Sequence, residues 1–381
     1  MVKAGILGGG QLGRMLLQEA ANFPVETWVL ENDADCPAAH LCHHFIKGDI
    51  RDYETVLAFG QQVDVITIEI ESVNVDALET LEGLGKKVIP SPAVLRMIKN
   101  KISQKQFYKE QSIPSPGFYV TQSREELSLH LSFLPAVHKI AEGGYDGRGV
   151  QVINNAGDIP KCFDAPSVLE KKVEIDREIA IMIGINAKGE TAIFPPVEMI
   201  ADPYLNLLDY QLCPAAIDQK IFWKVEAIAI RLVKAFKSPG LFAVEMLIDR
   251  SGEVWVNETA PRVHNSGHHT IEANITSQYE MLWRIMLGYP LGHTAATQPS
   301  ALINLLGAPN HSGPVRYEGI EKVLAMEGAF VHTYGKAETR PGRKMGHVTV
   351  LGTDRLDLVR KAKRIKEELK VVSALTPVLP L

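Results

Sequence analysis

Short apolar segments that alternate with helical patterns over the first ninety residues constrain the fold more than any other feature. The strand-like segments are Val2–Leu7, Thr27–Leu30, Val65–Ile70 and Lys87–Ile89. The intervening helical patterns cover Gln11–Ala21, Tyr53–Phe59 and Val75–Leu84. Strands separated by helices pair side by side in one direction, so this order predicts a parallel sheet covered by helices on both faces.

The pattern changes after residue 90, which predicts further domains. Pro90, Pro92, Pro114 and Pro116 interrupt the chain there, and proline fits neither a helix interior nor a central strand. From Val137 onward, strands flank a glycine-rich loop, as in a small sheet with a lid. Because 381 residues are many for one domain, we expect two or three domains around a shared cleft.

Charge and hydropathy exclude several classes of protein. The chain has 45 acidic and 40 basic residues, a net charge of −5, which is too even for a surface that attracts nucleic acid. No apolar run approaches the ~18 residues of a membrane span, and no signal peptide is recognisable. We therefore expect a cytoplasmic protein that binds neither nucleic acid nor membrane.

The four cysteines are too scattered for a disulfide framework, so a reducing compartment is expected. Cysteines and histidines do cluster at residues 36–44. That cluster lacks the two separated ligand pairs of a typical zinc site, and we interpret it as an ordinary loop and strand start.

A glycine-rich turn joins the first strand to the first helix. Its sequence, Gly8-Gly9-Gly10-Gln11-Leu12-Gly13, fits a turn whose backbone N–H groups approach a phosphate, and Glu31 ends the second strand near where a nicotinamide enzyme keeps its ribose-binding acid. The same glycines also suit any tight strand-to-helix turn on steric grounds alone. Both interpretations stay open.

A second glycine-rich segment, Gly143–Gly149, carries more specific signals. Tyr145, Asp146 and Arg148 add side chains that a plain linker does not need. Lys101 and Lys139 are candidates for the local positive charge that phosphates require, although both also suit a solvated surface.

Two acidic residues on a predicted hairpin give the firmest argument from the residues themselves. A two-residue turn at Arg250-Ser251 sets Glu245 opposite Val256, and Glu258 then shares that face by alternation. Two acids on a largely apolar hairpin repel each other unless a cation lies between them, and carboxylate oxygens suit Mg²⁺. The alternative is a pair of solvent-facing acids, which the apolar neighbours disfavour.

Two further stretches are rich in polar and charged groups. The run Thr259–His269 follows a buried strand directly, and packing alone gives little reason for its composition, so we predict a binding loop. Lys336 and the segment Arg340–His347 form a basic turn suited to a phosphomonoester, or else an ordinary charged surface.

Taken together, these stretches resemble the N5-carboxyaminoimidazole ribonucleotide synthetase family of the ATP-grasp superfamily over nearly the whole chain. The motifs that carry the resemblance are Gly8–Met15, Thr67–Glu71, Ser103–Gln106, Gly143–Gly149, Asn257–His268 and Arg340–His347. It implies a mixed α/β and α+β fold with an N-terminal Rossmann-like parallel sheet domain over residues 1–100. A small lid domain over 101–175 and a C-terminal mixed-sheet domain over 176–381 complete the expected architecture.

The resemblance also implies which residues form the sites. The expected ATP contacts are Lys101, Lys139, Gly144, Tyr145, Asp146, Gly147, Arg148, Gly149, Val150, Glu170, Lys171, Lys172, Val173, Glu178, Asn257 and Glu258. The expected metal ligands are Glu245 and Glu258. The expected substrate contacts are Gln11, Leu12, Glu69, Tyr145, Asn265, Ser266, Lys336, Arg343 and Lys344, and the expected catalytic residues are Asp146, Arg148, Arg262 and His264.

The implied enzyme is a carbon–nitrogen ligase of purine biosynthesis. It uses ATP, with Mg²⁺ or Mn²⁺, to join bicarbonate to 5-aminoimidazole ribonucleotide through carboxyphosphate, and relatives are commonly homodimers. One departure concerns Glu198-Met199-Ile200-Ala201, where the family commonly shows Glu-Asn-x-His, so a nucleotide contact from position 201 is in doubt. The segment Asp202–Gln211 is also slightly longer than usual.

Three alternative functions stay open from the sequence. A formate-dependent glycinamide ribonucleotide transformylase is another ATP-grasp enzyme. A nicotinamide oxidoreductase explains the first glycine turn but gives no role to the acidic hairpin or the basic clusters. The third is a catalytically silent nucleotide-binding regulator, which the presence of both candidate metal ligands disfavours.

Overall fold

A computed structural model describes residues 1–144, 149–201 and 208–374. Within these residues, no helix combines the length and apolar character needed to cross a lipid bilayer. Tyr145, Asp146, Gly147 and Arg148, and part of the segment at 202–211, lie outside the described residues.

The N-terminal region is a five-stranded parallel sheet, as the alternating pattern predicts. Its strands are β1 (Val2–Leu7), β2 (Val25–Glu31), β3 (His44–Lys47), β4 (Val65–Ile68) and β5 (Lys87–Val88), in the order β3-β2-β1-β4-β5. Its helices are α1 (Gln11–Ala20), α2 (Tyr53–Gln61) and α3 (Val75–Gly83). The predicted strand segments do not include β3, a short edge strand without a continuous apolar run, but β3 begins at His44, where the 36–44 cluster was interpreted as the start of a strand.

Two helices lead from this sheet to a small antiparallel sheet. The helices are α4 (Pro92–Lys99) and α5 (Lys101–Glu110). The sheet contains β6 (Phe118–Thr121), β7 (Ala136–Ile140), β8 (Val150–Ile153) and β9 (Ser167–Lys171), in the order β6-β9-β7-β8. The 3₁₀ segments Glu125–Phe133 and Ala156–Lys161 lie between its strands. The second glycine-rich loop therefore connects two neighbouring strands, β7 and β8.

The rest of the chain forms a large sheet and a small one, and all strand pairs in both are antiparallel, so the sheet that was expected to be mixed is antiparallel. The strands are β10 (Ile175–Ile185), β11 (Thr191–Ile193), β12 (Val197–Ala201), β13 (Leu208–Cys213), β14 (Gly240–Asp249), β15 (Val254–Ala260), β16 (Ser300–Leu306), β17 (Gly313–Glu318), β18 (Ala329–Thr333), β19 (Glu338–Thr339), β20 (Lys344–Leu351) and β21 (Lys370–Ser373). Strands β17, β19 and β21 form the small sheet, and the other nine form the large one.

Helices cover these sheets. They are α6 (Gln219–Ala235), α7 (Thr270–Ala273), α8 (Gln278–Leu287), α9 (Ile320–Leu324) and α10 (Arg355–Glu368), with a 3₁₀ turn at Asn265–Gly267. The basic C-terminal segment carries apolar residues at helical spacing, which predicts an amphipathic helix with one apolar face. Those residues, Leu358, Ala362, Ile365 and Leu369, are all buried, which confirms that face.

Candidate active site

Glu245 on β14 and Glu258 on β15 lie directly opposite each other, so their side chains share one face of the hairpin. The predicted two-residue turn, with Glu245 opposite Val256, is wrong. The Asp249 amide donates to the Glu253 carbonyl, and Gly252 at φ +78° completes a three-residue loop. That extra residue sets Met246 opposite Val256, and a bulge at Asn257 shifts the register once more.

The two acids differ in their electrostatic surroundings. Burial raises the pKa of Glu245, and repulsion from Glu258 and Glu178 adds to the rise. Burial also acts to raise the pKa of Glu258, but the ammoniums of Lys101 and Lys139 outweigh it and lower that pKa. The Lys101 Nζ lies 2.7 Å from the Glu258 carboxylate. A proton therefore favours Glu245, while Glu258 stays ionised.

Lysines from two different elements meet at this hairpin. Lys101 begins α5, and Lys139 lies on β7. The Lys139 Nζ donates to the Asn257 side-chain oxygen at 2.8 Å and lies 2.6 Å from the Glu170 carboxylate. The structure thus brings both predicted lysines to the acids, and neither is a solvated surface residue.

Lys105 is a third lysine at this site, and it is not among the site residues predicted from the sequence. It forms an ion pair with the other oxygen of Glu170, and both residues are 3% exposed. The available signal was helical spacing, because residues four apart on α5 lie on the same face and Lys101 is four residues earlier.

The lid loop is anchored to the start of α5. The Lys101 amide donates to the Ala141 carbonyl at 2.8 Å, and the Asn100 side chain donates to Glu142 at 2.9 Å. Gly149 has φ +84°, and a Cβ there would lie 2.9 Å from the Gly144 Cα, so the two ends of the loop approach closely. Val150, next in the chain, is 40% exposed.

The resemblance places Glu170, Lys171, Lys172 and Val173 on the strand expected to meet the adenine of ATP, and only part of this segment is directed at the site. The carboxylate of Glu170 faces the two lysines, whereas the Lys171 ammonium donates to the carbonyls of Phe133 and Leu134. Lys172 is exposed and Val173 is partly buried.

Glu178, the acid that the resemblance assigns to the ribose hydroxyls of ATP, lies on β10 beside this site. Met199 is its partner on β12, and Ala201 is exposed at the end of that strand. Burial raises the pKa of Glu178. The family's polar pattern after residue 198 is therefore replaced by an apolar side chain next to this acid.

A second cluster of polar side chains joins the N-terminal sheet to the basic turn. The Lys336 Nζ donates to the Gln11 side chain and to the Lys344 carbonyl, both at 2.7 Å. Arg343 donates to the Glu338 carbonyl at 2.6 Å. Burial, with the nearby charge of Arg343, lowers the pKa of Lys336 to about 8.

The first glycine turn binds an internal carboxylate. The amides of Gly10 and Gly13 each donate to Glu69 at 2.5 Å, and the Gly9 amide donates to Glu31 at 3.1 Å. A Cβ at Gly8 or Gly10 would lie 2.4 Å from the Glu69 side chain. The phosphate-binding interpretation is therefore wrong for these amides, and the steric one is correct.

Arg262 and His264 lie between the two clusters. The Arg262 guanidinium pairs with Glu71 at 2.9 Å and lowers the otherwise raised pKa of Glu69, so it is close to both carboxylates. The His264 Nε2 lies 3.9 Å from the Glu245 carboxylate. This pair links the acidic hairpin to the Lys336 cluster.

The remaining predicted substrate contacts are held by internal partners. Ser266 is fully buried and lies 3.0 Å from the His264 Nδ1. Asn265 donates to Asn304 at 2.7 Å, and Leu12 packs against the adjoining apolar core.

The acidic hairpin fits a hard divalent cation that arrives with phosphates. Among the residues that the structure describes, no group of three or more His, Cys, Asp or Glu side chains is arranged to hold a metal ion. Two carboxylates alone leave most positions of an octahedral shell for phosphate oxygens and water, which is how Mg²⁺ accompanies nucleotides.

Three family models match successive parts of the chain. They are the "ribonucleotide synthetase preATP-grasp domain" at residues 1–99, the "ATP-grasp domain" at 106–279 and the "phosphoribosylaminoimidazole carboxylase C-terminal domain" at 300–361.

Two named relatives are similar over nearly all of the chain. The N5-carboxyaminoimidazole ribonucleotide synthase of Synechococcus elongatus is 33% identical, over 98% of this chain and 95% of that protein. The chloroplastic phosphoribosylaminoimidazole carboxylase of Vigna aconitifolia is 34% identical over 92% of this chain, which spans only 64% of that longer relative.

Solved structures are similar as well. N5-carboxyaminoimidazole ribonucleotide synthetase from Thermotoga maritima superposes with a TM-score of 0.91 at 39% identity, covering 98% of this chain and all of that one. The Aspergillus clavatus N5-carboxyaminoimidazole synthase, solved with ADP and 5-aminoimidazole ribonucleotide, gives a TM-score of 0.86 at 30% identity, covering 96% and 98% of the two chains.

Proposed function

We infer the function from one premise, that this chain belongs to the N5-carboxyaminoimidazole ribonucleotide synthase family of ATP-grasp enzymes. It is an ATP-dependent ligase of purine biosynthesis that carboxylates 5-aminoimidazole ribonucleotide with bicarbonate. ADP, phosphate and the N5-carboxy product are formed. The observation that supports this most strongly is the pairing of Glu245 with Glu258 beneath two lysines, next to the Lys336 cluster.

The first half of the reaction activates bicarbonate. A bicarbonate oxygen attacks the γ-phosphorus, the bond to the β-phosphate oxygen breaks, and carboxyphosphate and ADP result. Lys101 and Lys139 exchange their carboxylate partners for phosphate oxygens, which places the triphosphate along the hairpin. Glu245 and Glu258 would hold a Mg²⁺ or Mn²⁺ ion, which would supply charge compensation for the phosphates when bound.

The second half joins the carboxyl group to the substrate amine. The amine nitrogen attacks the carboxyl carbon, phosphate leaves, and the departing phosphate takes up the amine proton. We assign Arg148 and His264 to hold the carboxyphosphate or the CO₂ released from it, and we add Arg262, which precedes His264 by two residues, as a further catalytic residue. Asp146 orients the exocyclic amine, and the loop at 143–149 shields the labile intermediate from water.

The ribonucleotide occupies the second cluster in this proposal. Its phosphate lies against Lys336, Arg343 and Lys344, and its base lies near Gln11 and Glu69. ATP lies between the four-stranded sheet of β6 to β9 and the hairpin of β14 and β15, with its ribose near Glu178. His264, 3.9 Å from Glu245, then stands where the two substrates meet.

The decisive experiment measures ADP release with and without bicarbonate in the presence of aminoimidazole ribonucleotide. We expect release to require bicarbonate and to match the N5-carboxy product one to one. Release that requires formate and glycinamide ribonucleotide instead would favour the transformylase. Release under no condition, despite ATP binding, would favour the silent regulator.

His264→Asn tests the second half of the reaction separately. We expect ATP hydrolysis to continue while the ratio of product to ADP falls several-fold. The reason is that the His264 side chain lies beside Glu245, a proposed metal ligand, and is not itself assigned as a ligand. An unchanged ratio would remove His264 from the transfer step.

Three further features belong to the proposal. We divide the chain into the domains 1–100, 101–175 and 176–381, and we expect a homodimer located in the cytoplasm. Size-exclusion chromatography with light scattering tests the dimer, which a monomer at micromolar concentration would contradict.

A further inference from the structure

Lys105 is a buried charge to which the proposed reaction gives no part. Its ammonium pairs with Glu170, lies 3.4 Å from the Val256 carbonyl and sits 5.6 Å from the centre of the Tyr108 ring. The Tyr108 hydroxyl in turn lies 2.7 Å from the Thr259 side chain. Lys105 is therefore fixed between two sheets: it contacts Glu170 on β9, in the four-stranded sheet of β6 to β9, and Val256 on the hairpin strand β15.

Glu170 faces two ammoniums, and the two differ in solvent exposure. Lys105 is 3% exposed, whereas the Lys139 side chain is 12% exposed and also reaches Asn257 at the cleft. When Lys139 turns to a phosphate, Glu170 loses one of its two partners. A buried carboxylate left without any partner is strongly destabilised, so a second ammonium must stay behind.

The protonation states agree with this picture. Burial acts to raise the pKa of Glu170, but the two lysines outweigh it and lower that pKa. Burial lowers the pKa of Lys105 to about 8, with the Glu170 charge opposing the decrease. Both groups are therefore mainly charged at pH 7.

We propose that Lys105 is a positioning residue for nucleotide binding: it remains the counter-ion of Glu170 and so releases Lys139 to the phosphates of ATP. This inference rests on the proposed function, since it takes Lys139 to be a phosphate ligand. Lys105 itself does not touch the nucleotide.

The first test compares the dissociation constant of MgADP for wild type, Lys105→Met and Lys109→Met by calorimetry. In Lys105→Met, Glu170 has only Lys139 as partner and holds it, so we expect the dissociation constant to rise of the order of tenfold. Lys109 is exposed on the same helix and is the matched control, with no change expected. An unchanged constant for Lys105→Met would overturn the inference.

The second test asks whether removing the charge of Glu170 restores binding. In Lys105→Met/Glu170→Gln no carboxylate retains Lys139, which keeps only its bond to the neutral Asn257 side chain, and the dissociation constant should return to within about threefold of that of Glu170→Gln alone. A role of Lys105 in packing alone predicts no such rescue, and a dissociation constant of the double variant above that limit would overturn the inference. This comparison is decisive even where Lys105→Met alone fails to fold.

Lys139→Met separates this inference from the proposed function. It should bind MgADP weakly with or without Lys105→Met, because the phosphate ligand itself is gone. A wild-type chain that does not bind MgADP would overturn the proposed function and this inference together. Binding by wild type that Lys105→Met leaves intact would overturn this inference alone.

Discussion

The acids at the first glycine turn and the acids on the β14–β15 hairpin differ in the groups that they are bonded to. Glu31 and Glu69 accept from backbone amides of the first glycine turn. Glu258 pairs with the ammonium of Lys101, and Glu245 lies opposite it across the hairpin. Amides of a tight turn are fixed, whereas a lysine can move to another anion. We propose that the first pair fixes the glycine turn, beside which Glu69 also faces the ribonucleotide, and that the second pair forms the site for ATP and metal.

The contrast also explains why the nicotinamide alternative fails. A dinucleotide requires free amides at the glycine turn and an acid that reaches its ribose. Here the three amides of Gly9, Gly10 and Gly13 are already taken by carboxylates. In the proposed function the acidic hairpin, by contrast, exchanges its lysine partners for phosphates and metal, and its strand pairing does not depend on those lysines.

Glu258→Gln should produce the largest effect. It removes a proposed metal ligand and the partner of Lys101, so we expect ADP formation to fall about a thousandfold or more. Stability should change little, because the Glu258 side chain is 44% exposed. Steady-state assays of ADP release check the first expectation, and thermal unfolding checks the second.

Glu253→Gln is the matched control on the same hairpin. Glu253 is 58% exposed and pairs with Lys224 away from the site. We expect wild-type kinetics from this variant. Full activity in Glu258→Gln, or an equal loss in both variants, would show that the hairpin acids are not an exchangeable pair.

The pH dependence of the magnesium concentration needed for ADP binding tests Glu245, the other acid of the hairpin pair. Because burial raises the pKa of Glu245, its proton must leave before a cation binds. The magnesium concentration needed for half-maximal ADP binding should therefore fall as pH rises from 6 to 8, by up to about tenfold per pH unit. Glu245→Gln should abolish this trend, and a flat profile in wild type would contradict it.

The hairpin shows how far sequence reasoning reaches. Alternation placed both acids on one face, but the assumed turn was one residue too short. The three-residue loop alone would have set Glu245 opposite Asn257, and the bulge at Asn257 restored the shared face. Neither shift has a sequence signal strong enough to fix the register, because Asp249-Arg250-Ser251-Gly252 suits turns of either length.

Partner choice is the part that the sequence does not reveal. The glycine spacing at 8–13 is the same whether its amides bind a phosphate or a carboxylate, and Glu69 is more than fifty residues away in the chain. Likewise, nothing local shows that Lys105 turns towards Glu170. Such pairs depend on how separate elements pack together. Helical and strand periodicity depend only on residues close together in the chain, which is why the N-terminal strands and helices could be predicted from it.

Glu69→Gln should show the opposite behaviour to Glu258→Gln. The amide keeps the shape but loses the charge that two backbone N–H groups share, so we expect about 2 kcal/mol less stability in urea unfolding. MgADP affinity should not change. Asp64→Asn is the control, because it alters an exposed carboxylate that accepts from the Lys3 amide, and a loss within about 0.5 kcal/mol is expected. Equal losses in both variants would contradict the structural role of the buried pair.

Glu31→Gln should have the smallest effect. Glu31 accepts from the Gly9 amide at 3.1 Å and from the adjacent Asn32 amide at 2.7 Å, and its side chain is only partly buried. A glutamine oxygen can still accept one of these bonds, so the expected loss is about 0.5 to 1 kcal/mol, with kinetics unchanged. Titration of wild type with NAD⁺, followed by tryptophan fluorescence, completes the test. Saturable NAD⁺ binding that Glu31→Gln weakens would mean that the turn exchanges its partner after all, and the distinction between fixed and exchangeable acids would then fail.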